Sequence, residues 1–313
     1  MQTTLSPISS RHSRPSEVTT RIGFLACKDT LPGDGERRGD AFEHDLEVKA
    51  LRPAFADAGL ELVELDWRSP LDQFAGMAMV LLGTAWDYQD HPREFIAKLE
   101  ALQEHGITVQ NSPDIVRWNS DKSYLKDLEQ RGATTVPTLW LEDADRQAVT
   151  GAMDHFGTDR VVVKRQVGAG GIGQYSFTRA SLPESDWSMG RPCMIQPFLP
   201  SIVEEGEYTF VFIDGEYSHG VQKRAAQDEY RIQSLYGGYE CDYAPPPGDL
   251  ECARTIERAL PFADALYCRI DMARLATGEL AVMEAEMIEP YLYPQQGSQL
   301  GMRLAEAICK RLG

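Results

Sequence analysis

A glycine-rich loop that follows an apolar strand constrains the fold of this chain more than any other feature. Residues 161–163 are three valines, and they lead directly to Lys164 and Arg165. Because a glycine backbone can approach phosphate oxygens closely, such a loop predicts a phosphate-binding lid over a nucleotide. Four of the six positions after Val167 are glycine, namely Gly168, Gly170, Gly171 and Gly173.

Three common phosphate-binding loops do not fit this segment. The glycines match G-x-G-x-x-G, but residues 174–178 alternate like a strand, whereas a dinucleotide-binding turn opens a helix at that point. A protein-kinase loop has its lysine after the glycines, while Lys164 precedes them, and the chain contains neither H-R-D nor D-F-G. A Walker A loop is excluded because no Gly-Lys-Ser/Thr run is present.

A second group of charged residues lies in residues 267–287, which form two alternating runs around a glycine-containing turn. The pattern predicts a hairpin, with Arg269 and Asp271 on one face of the first strand and Glu284 and Glu286 on one face of the second. The three carboxylates would repel one another in a partly buried site unless a hard cation such as Mg²⁺ lay among them. The alternative is a surface hairpin with a polar outer face.

Together, the glycine loop and the carboxylate hairpin resemble the ATP-grasp enzymes, in the branch that includes bacterial glutathione synthetase and the cyclising ligase of cycloserine biosynthesis. The resemblance implies an α/β chain, α+β in its C-terminal part, with the ATP-grasp fold in three subdomains and ATP between the central and C-terminal ones. The family's magnesium ligands fall on Asp271, Glu284 and Glu286, although the family has Asn at the last position. The implied cofactors are ATP and Mg²⁺, as two ions, with Mn²⁺ as an alternative.

The resemblance also assigns the nucleotide contacts. Lys122 and Lys164 correspond to the two lysines that hold the phosphates, and Glu207 corresponds to the acid that binds the ribose hydroxyls. Residues 194–200 resemble the linker that hydrogen-bonds the adenine edge through its backbone, which selects Gln196, Phe198 and Leu199. The two prolines of this segment also predict a rigid connector between domains, and both interpretations hold together.

Catalytic and substrate residues follow from the same resemblance. Lys223 and Arg231 correspond to the basic residues on the terminal phosphate and the acyl phosphate, where an arginine fork can stabilise the transferring group. By itself, a basic strand face is ordinary solvated surface. Thr84, Trp86 and Asp87 follow an apolar strand, where open α/β sheets bind ligands, and a similar segment occurs in the cycloserine-forming branch. Packing at a domain interface is the alternative for Trp86.

Composition favours a soluble cytoplasmic enzyme. The chain has 313 residues, a formal net charge of −17 and a pI near 4.8, which disfavour a nucleic-acid partner. No apolar run is long enough to span a membrane, and residues 1–20 lack the apolar core of a secretory signal. The six cysteines form no C-x-x-C pair, so neither a zinc site nor a disulfide framework is indicated.

The chain divides into four segments by pattern. Residues 1–20 predict a flexible tail, and residues 21–118 alternate strand and helix as in an N-terminal α/β domain with a small parallel sheet. Residues 119–197 predict a central lid subdomain, and residues 198–313 a C-terminal subdomain with the metal site. Helices are expected at 43–58, 92–105, 122–130, 251–265 and 299–311.

These features predict an ATP- and Mg²⁺-dependent carboxylate–amine ligase that forms a C–N bond through an acyl phosphate. The resemblance implies a small amino-acid-like substrate, with intramolecular amide closure as one form of the reaction. Alternatives are ligation to a peptide or protein terminus, phosphoryl transfer without an amine, and noncatalytic nucleotide binding. Relatives form dimers or tetramers, so a homodimer or homotetramer stays open.

Overall fold

A parallel sheet forms the N-terminal part of the chain. The computed structural model describes residues 19–33, 35–168, 171, 173–227, 229–232 and 234–313, so nearly all of the predicted tail lies outside the described residues. The sheet is parallel, as its strand–helix alternation predicts, and its strand order is β2-β1-β3-β4. Its elements are β1 (Thr20–Ala26), α1 (Ala41–Asp57), β2 (Leu60–Asp66), β3 (Met77–Thr84), α2 (Pro92–Glu104) and β4 (Thr108–Gln110).

The central part is an antiparallel sheet with the order β5-β8-β6-β7. Its first strand begins at Leu139, and the Val136 backbone N–H that precedes it donates to the carbonyl oxygen of Val282 in the C-terminal part. The elements are α3 (Pro113–Asn119), α4 (Tyr124–Gln130), β5 (Leu139–Leu141), α5 (Arg146–Phe156), β6 (Arg160–Arg165), β7 (Tyr175–Thr178) and β8 (Cys193–Pro197).

The C-terminal part is a five-stranded antiparallel sheet with the order β11-β10-β9-β12-β13. The helix expected at 251–265 lies at Pro247–Ala259, since Pro247 suits a first helical turn and Pro261 forces Leu260 out of the helix. The elements are α6 (Ser201–Glu204), β9 (Glu207–Ile213), β10 (Glu216–Arg224), β11 (Tyr239–Tyr243), α7 (Pro247–Ala259), β12 (Tyr267–Arg274), β13 (Leu280–Glu286) and α8 (Leu300–Leu312).

The last helix returns to the first sheet. A Cβ at Gly301 of α8 would lie 2.7 Å from the carbonyl oxygen of Ala50, so glycine permits the close approach of α8 to α1. Leu304 and Ile308 of α8 share a buried cluster with β1 and α1. Apart from Thr20 of β1, each sheet falls within one expected segment, so we propose domains at 21–118, 119–197 and 198–313. None of the described helices is long and apolar enough to cross a membrane.

Candidate active site

A cavity of about 230 Å³ lies where the three sheets meet. Its walls come from the glycine loop after β6, the linker after β8, strands β9 and β10, and the β12–β13 hairpin. Most residues that the sequence selected line this cavity, whereas Gly170 lies outside the described residues. Those that line it are Trp86, Lys122, Lys164, Gly168, Gly171, Gly173, Gln196, Phe198, Leu199, Glu207, Lys223, Arg231, Asp271, Glu284 and Glu286.

Lys122 connects the glycine loop to the hairpin. Its Nζ donates to the carbonyl oxygen of Gly168 at 2.7 Å and forms an ion pair with Glu284. Its backbone N–H donates to the carbonyl oxygen of Gln166 at 2.9 Å. Lys122 therefore links the glycine loop to a carboxylate of the hairpin.

Two buried asparagines fix the hairpin against the rest of the chain. The Asn111 amide donates to the carbonyl oxygens of Tyr267 and Met287, and its oxygen accepts from the Leu266 backbone. Asn119 makes a similar pair of hydrogen bonds to the backbone of β13. All these backbone groups are buried and satisfied, so the carboxylates of the hairpin are held by a rigid support.

The hairpin has the predicted faces. Arg269 lies opposite Glu286, and Asp271 lies opposite Glu284. The Arg269 guanidinium donates to Asp271 at 2.9 and 3.1 Å, contacts Glu286, and donates to the carbonyl oxygen of Tyr291 at 3.2 Å. Arg269 is therefore the central cation of the carboxylate group.

The carboxylates are hard oxygen donors of the kind that Mg²⁺ prefers, but cations hold them in this structure. Within the described ranges, no three His, Cys, Asp or Glu side chains surround a common point that could hold a metal ion. Burial raises the pKa of Glu286 to about 7, opposed by Arg269 and reinforced by the charges of Glu284 and Asp271. Asp271, Glu284 and Glu286 nevertheless line one cavity, and their oxygens are the ligands that a hard cation such as Mg²⁺ prefers, so the chemistry of the donor set fits a metal.

Lys223 is shared by two acids that the sequence assigned to different roles. Its Nζ lies 2.5 Å from Glu207 and 3.0 Å from Asp271, and all three side chains are buried. Burial raises the pKa of Asp271, but Arg269 and Lys223 together lower it to about 2. Burial raises the pKa of Glu207, with Lys223 acting in the opposite direction. Lys223 thus joins the proposed ribose side of the cavity to the proposed metal side.

Lys164 differs from these lysines because it forms no ion pair within the part of the chain that the structure describes. It is half-buried in the cavity wall, and burial lowers its pKa, against the attraction of Glu284 and Glu207. A desolvated cation without a counter-charge costs folding free energy. An anion that enters the cavity would remove that cost.

The linker after β8 offers only part of its backbone to a base. The Phe198 backbone N–H donates to the carbonyl oxygen of Arg160 at 3.0 Å, and the Arg160 guanidinium covers the Phe198 ring at 3.5 Å. The Gln196 amide donates to the Thr138 hydroxyl at 2.9 Å. The Phe198 N–H is therefore already used within the chain, while Leu199 stays a candidate for the adenine contact.

Arg231 lines the cavity but is held at its edge. Its guanidinium forms an ion pair with Glu229 at 2.6 Å and stacks over the Tyr236 ring at 3.6 Å. Its hydrogen bonds lower the pKa of Glu229 to about 2. A phosphate contact through Arg231 requires the arginine to leave Glu229.

Two of the three expected substrate residues do not reach the cavity. Thr84 is fully buried, and its hydroxyl is hydrogen-bonded to His44 Nδ1 at 2.6 Å. Asp87 accepts from Trp67 Nε1 at 2.7 Å and forms an ion pair with Arg68. Both side chains therefore hold the first domain together, which corrects the expectation. Trp86 does line the cavity.

Sequence reasoning did not select several residues of the cavity wall. Arg269 had a signal, because it shares a strand face with Asp271, but it was not assigned a role. Glu43 and Ser234 had no signal, since they are 191 positions apart and meet only in the folded chain, where the Ser234 hydroxyl donates to Glu43. Arg38 and Glu289 also line the cavity.

Comparisons with known proteins agree with this geometry. Residues 22–111 match a family model described as the N-terminal domain of the D-cycloserine synthetase DcsG. The chain is 24% identical over 290 residues to the cycloserine biosynthesis protein DcsG of Streptomyces lavendulae, which covers 86% of this chain and 94% of that protein.

Solved structures show the same similarity. A crystal structure of D-cycloserine synthetase DcsG matches with a TM-score of 0.79 and 23% identity, over 94% of this chain and all 100% of that one. D-alanine–D-alanine ligase from Bacillus anthracis matches with a TM-score of 0.65 and 17% identity, over 94% and 97%. The ATP-grasp ligase PsnB, complexed with a minimal precursor, matches with a TM-score of 0.63 and 18% identity, over 94% of this chain and 100% of that one. The resemblance found in the sequence is confirmed: the chain has the ATP-grasp fold of these ligases, and its first domain matches that of D-cycloserine synthetase.

Proposed function

We propose that this ATP-grasp enzyme is an ATP- and Mg²⁺-dependent ligase that joins a carboxylate to an amine within one small amino-acid-like substrate. The observation that carries the proposal is the meeting of three chemistries in one cavity. Lysines that can bind phosphate lie on the side of the glycine loop. The hairpin contributes carboxylates, and the first domain contributes the aromatic side chain of Trp86. A noncatalytic nucleotide-binding protein has less need of the carboxylates.

The nucleotide would lie between the central and C-terminal sheets. Phe198, Leu199 and Glu207 line the cavity; the first two would border the adenine, and Glu207 would accept from the ribose hydroxyls. Lys122 and Lys164 would neutralise the phosphates below the glycine loop. Lys164 supports this assignment best, since it lines the cavity and forms no ion pair among the described residues.

The metal would be held by Glu284 and Glu286, with Asp271 beside them. A magnesium ion held by these carboxylates would supply positive charge that reduces the repulsion a nucleophile meets at the phosphates. Lys223 and Arg269 keep Asp271 ionised, and Arg269 orients Glu286. These cations set the charge and the orientation of the metal-binding side chains.

The reaction would proceed in two displacements. A substrate carboxylate oxygen attacks the terminal phosphorus of ATP, the bond to the bridging oxygen breaks, and ADP leaves with that electron pair. An amine of the same molecule then attacks the acyl carbon, phosphate leaves, and the nitrogen loses one proton to form the amide. Arg231 would hold the transferring phosphoryl group, and the glycine loop would exclude water.

Intramolecular closure is supported by two sequence matches, the first-domain family model and the curated cycloserine protein. A suitable probe is 3-aminooxy-D-alanine, the open-chain acid whose ring closure gives cycloserine. We expect ADP and cyclic product in a 1:1 ratio, with the product one water lighter than the acid. ADP that forms only when a second amine or a peptide is supplied would contradict intramolecular closure. No ADP with any amino acid pool would contradict the ligase assignment itself.

A further inference from the structure

Tyr293 has an unusual backbone conformation for a residue in the wall of the cavity. Its φ is +50°, in the left-handed region that favours glycine, and the residue lines the cavity. Among the described residues, the only other non-glycine residue with a positive φ is Asp214, in the turn between β9 and β10, where an aspartate readily adopts this conformation. A bulky side chain strains the backbone there, and such strain clusters at ligand-binding sites. The side chain of Tyr293 is therefore a candidate for a role in the cavity.

The surrounding chain holds Tyr293 in this conformation. Its carbonyl oxygen accepts from the backbone N–H groups of Gln296 at 3.1 Å and Gly297 at 3.0 Å. On the other side, His219 Nε2 donates to the carbonyl oxygen of Leu292 at 2.9 Å. A Cβ at Gly297 would lie 2.3 Å from Cε1 of His219, so glycine permits this close packing. The position of Tyr293 is thus fixed before any ligand binds.

The ring of Tyr293 lies near the two cations that bind Asp271. Lys223 Nζ and Arg269 Cζ are each 5.7 Å from the centroid of the ring, and both side chains form ion pairs with Asp271. At this distance a cation is attracted to an aromatic face. The ring therefore borders the charged centre of the site, beside the lysine that we assign to the terminal phosphate.

The hydroxyl of Tyr293 is the part of the residue that the folded chain does not use. The residue is 6% exposed, and its hydroxyl makes no hydrogen bond to any residue that the structure describes. A buried tyrosine hydroxyl usually has a partner. Burial raises the pKa of Tyr293, against the charges of Lys223 and Arg269, so the hydroxyl keeps its proton. It can therefore donate to an anionic oxygen that a ligand brings.

We propose that the Tyr293 hydroxyl donates a hydrogen bond to the reacting carboxylate of the substrate and positions it for attack on ATP. The proposal rests on the proposed function, which places this carboxylate beside the terminal phosphate. The segment that carries Tyr293 also contacts the substrate side of the cavity, because the Glu289 carbonyl oxygen accepts from Trp86 Nε1 at 3.0 Å. Lys122, which we assign to the phosphates, contacts the glycine loop instead. A donor that is fixed in advance loses little conformational entropy when the substrate binds.

The test compares two probes that differ only in this carboxylate, 3-aminooxy-D-alanine and 2-(aminooxy)ethanamine. Their affinities are measured by titration calorimetry with Mg²⁺ and a methylene-bridged ATP analogue, which cannot transfer its terminal phosphate. We expect the wild-type protein to prefer the acid. Tyr293→Phe keeps the ring and should bind the acid about tenfold more weakly, the effect of losing one hydrogen bond to a charged group. Its affinities for the second probe and for the ATP analogue should not change.

Tyr239→Phe is the matched control, since Tyr239 is 52% exposed and does not line the cavity. It should retain the wild-type preference for the acid. An unchanged thermal unfolding midpoint of Tyr293→Phe shows that the lost hydroxyl, and not a disturbed fold, causes its weaker binding.

Several results would overturn the proposal. These are equal affinity of the wild-type protein for the two probes, binding of neither, and a full preference for the acid in Tyr293→Phe. Weaker binding of the ATP analogue with unchanged binding of the acid would place the hydroxyl on the phosphate instead. The ligase proposal fails separately: a protein that prefers the acid through Tyr293 but never releases ADP from ATP keeps the carboxylate site and loses the reaction.

Discussion

Replacing Lys164 with methionine should weaken ATP binding and stabilise the protein without nucleotide. At about 4 Å and an effective dielectric constant of about 20, a unit charge pair is worth about 4 kcal/mol before desolvation. A hydrogen bond to a charged group contributes about 1.5–3 kcal/mol net. Since about 1.4 kcal/mol is a factor of ten, the Kd for ATP should rise by about 10- to 100-fold.

The stability change has the opposite sign. Burial lowers the pKa of Lys164, and no described carboxylate pairs with it, so its charge opposes folding when no phosphate is bound. Lys164→Met keeps the chain length and removes that charge, which should raise the free energy of unfolding by about 1 kcal/mol.

Calorimetry with ATP and denaturant unfolding without it measure the two effects. Lys49→Met, at an exposed position of α1, is the matched control and should change neither quantity. Unchanged ATP affinity in Lys164→Met would place the lysine outside the phosphate site. Weakened ATP binding together with a lower free energy of unfolding would indicate a misfolded variant. That result would refute the electrostatic reasoning, which predicts a higher free energy of unfolding.

Three further variants test other parts of the site. Glu284→Gln removes a proposed metal ligand and its contact with Lys122, so kcat should fall about 100-fold or more while ATP affinity falls less. Wild-type turnover in this variant would refute the assignment. Gly173→Val adds a Cβ at φ +70°, 2.1 Å from Arg165 Nε, so the loop should close less completely and admit water. The ratio of ADP to product should then rise above 1:1. An unchanged ratio at full rate would show that the glycine only forms a turn. Glu47 has a raised pKa of about 8, so its folded form binds a proton that the unfolded chain releases, and stability should fall between about pH 5 and 8. Glu47→Gln should flatten that decline in thermal unfolding, and an unaltered pH profile would contradict the burial argument.

The sequence predicted those parts of the site that depend on local pattern. Strand alternation predicted that Asp271, Glu284 and Glu286 lie on the two neighbouring strands of one hairpin. The glycine loop lines the same cavity, as expected. Contacts between distant segments were not predictable from one sequence. The Asp87 carboxylate accepts a hydrogen bond from Trp67, twenty positions earlier in the chain, and does not line the cavity.

Charge compensation was the other property that the sequence did not reveal. Glu43 lines the cavity and accepts from the Ser234 hydroxyl, and it forms no ion pair among the described residues. An acid on a helix face is ordinarily a solvated residue, so the pattern of α1 carried no sign that α1 borders the site. The position of Glu43 in the cavity wall and the 2% exposure of Glu47 are visible only in the folded chain.

The transfer of a substrate oxygen to phosphate tests the central claim most directly. If 3-aminooxy-D-alanine carries ¹⁸O in its carboxylate, attack on ATP and later amide formation move one labelled oxygen into inorganic phosphate. Mass spectrometry of the phosphate released with ADP should therefore show one ¹⁸O per molecule. Turnover that yields unlabelled phosphate, or AMP and pyrophosphate in place of ADP, would contradict the acyl phosphate route.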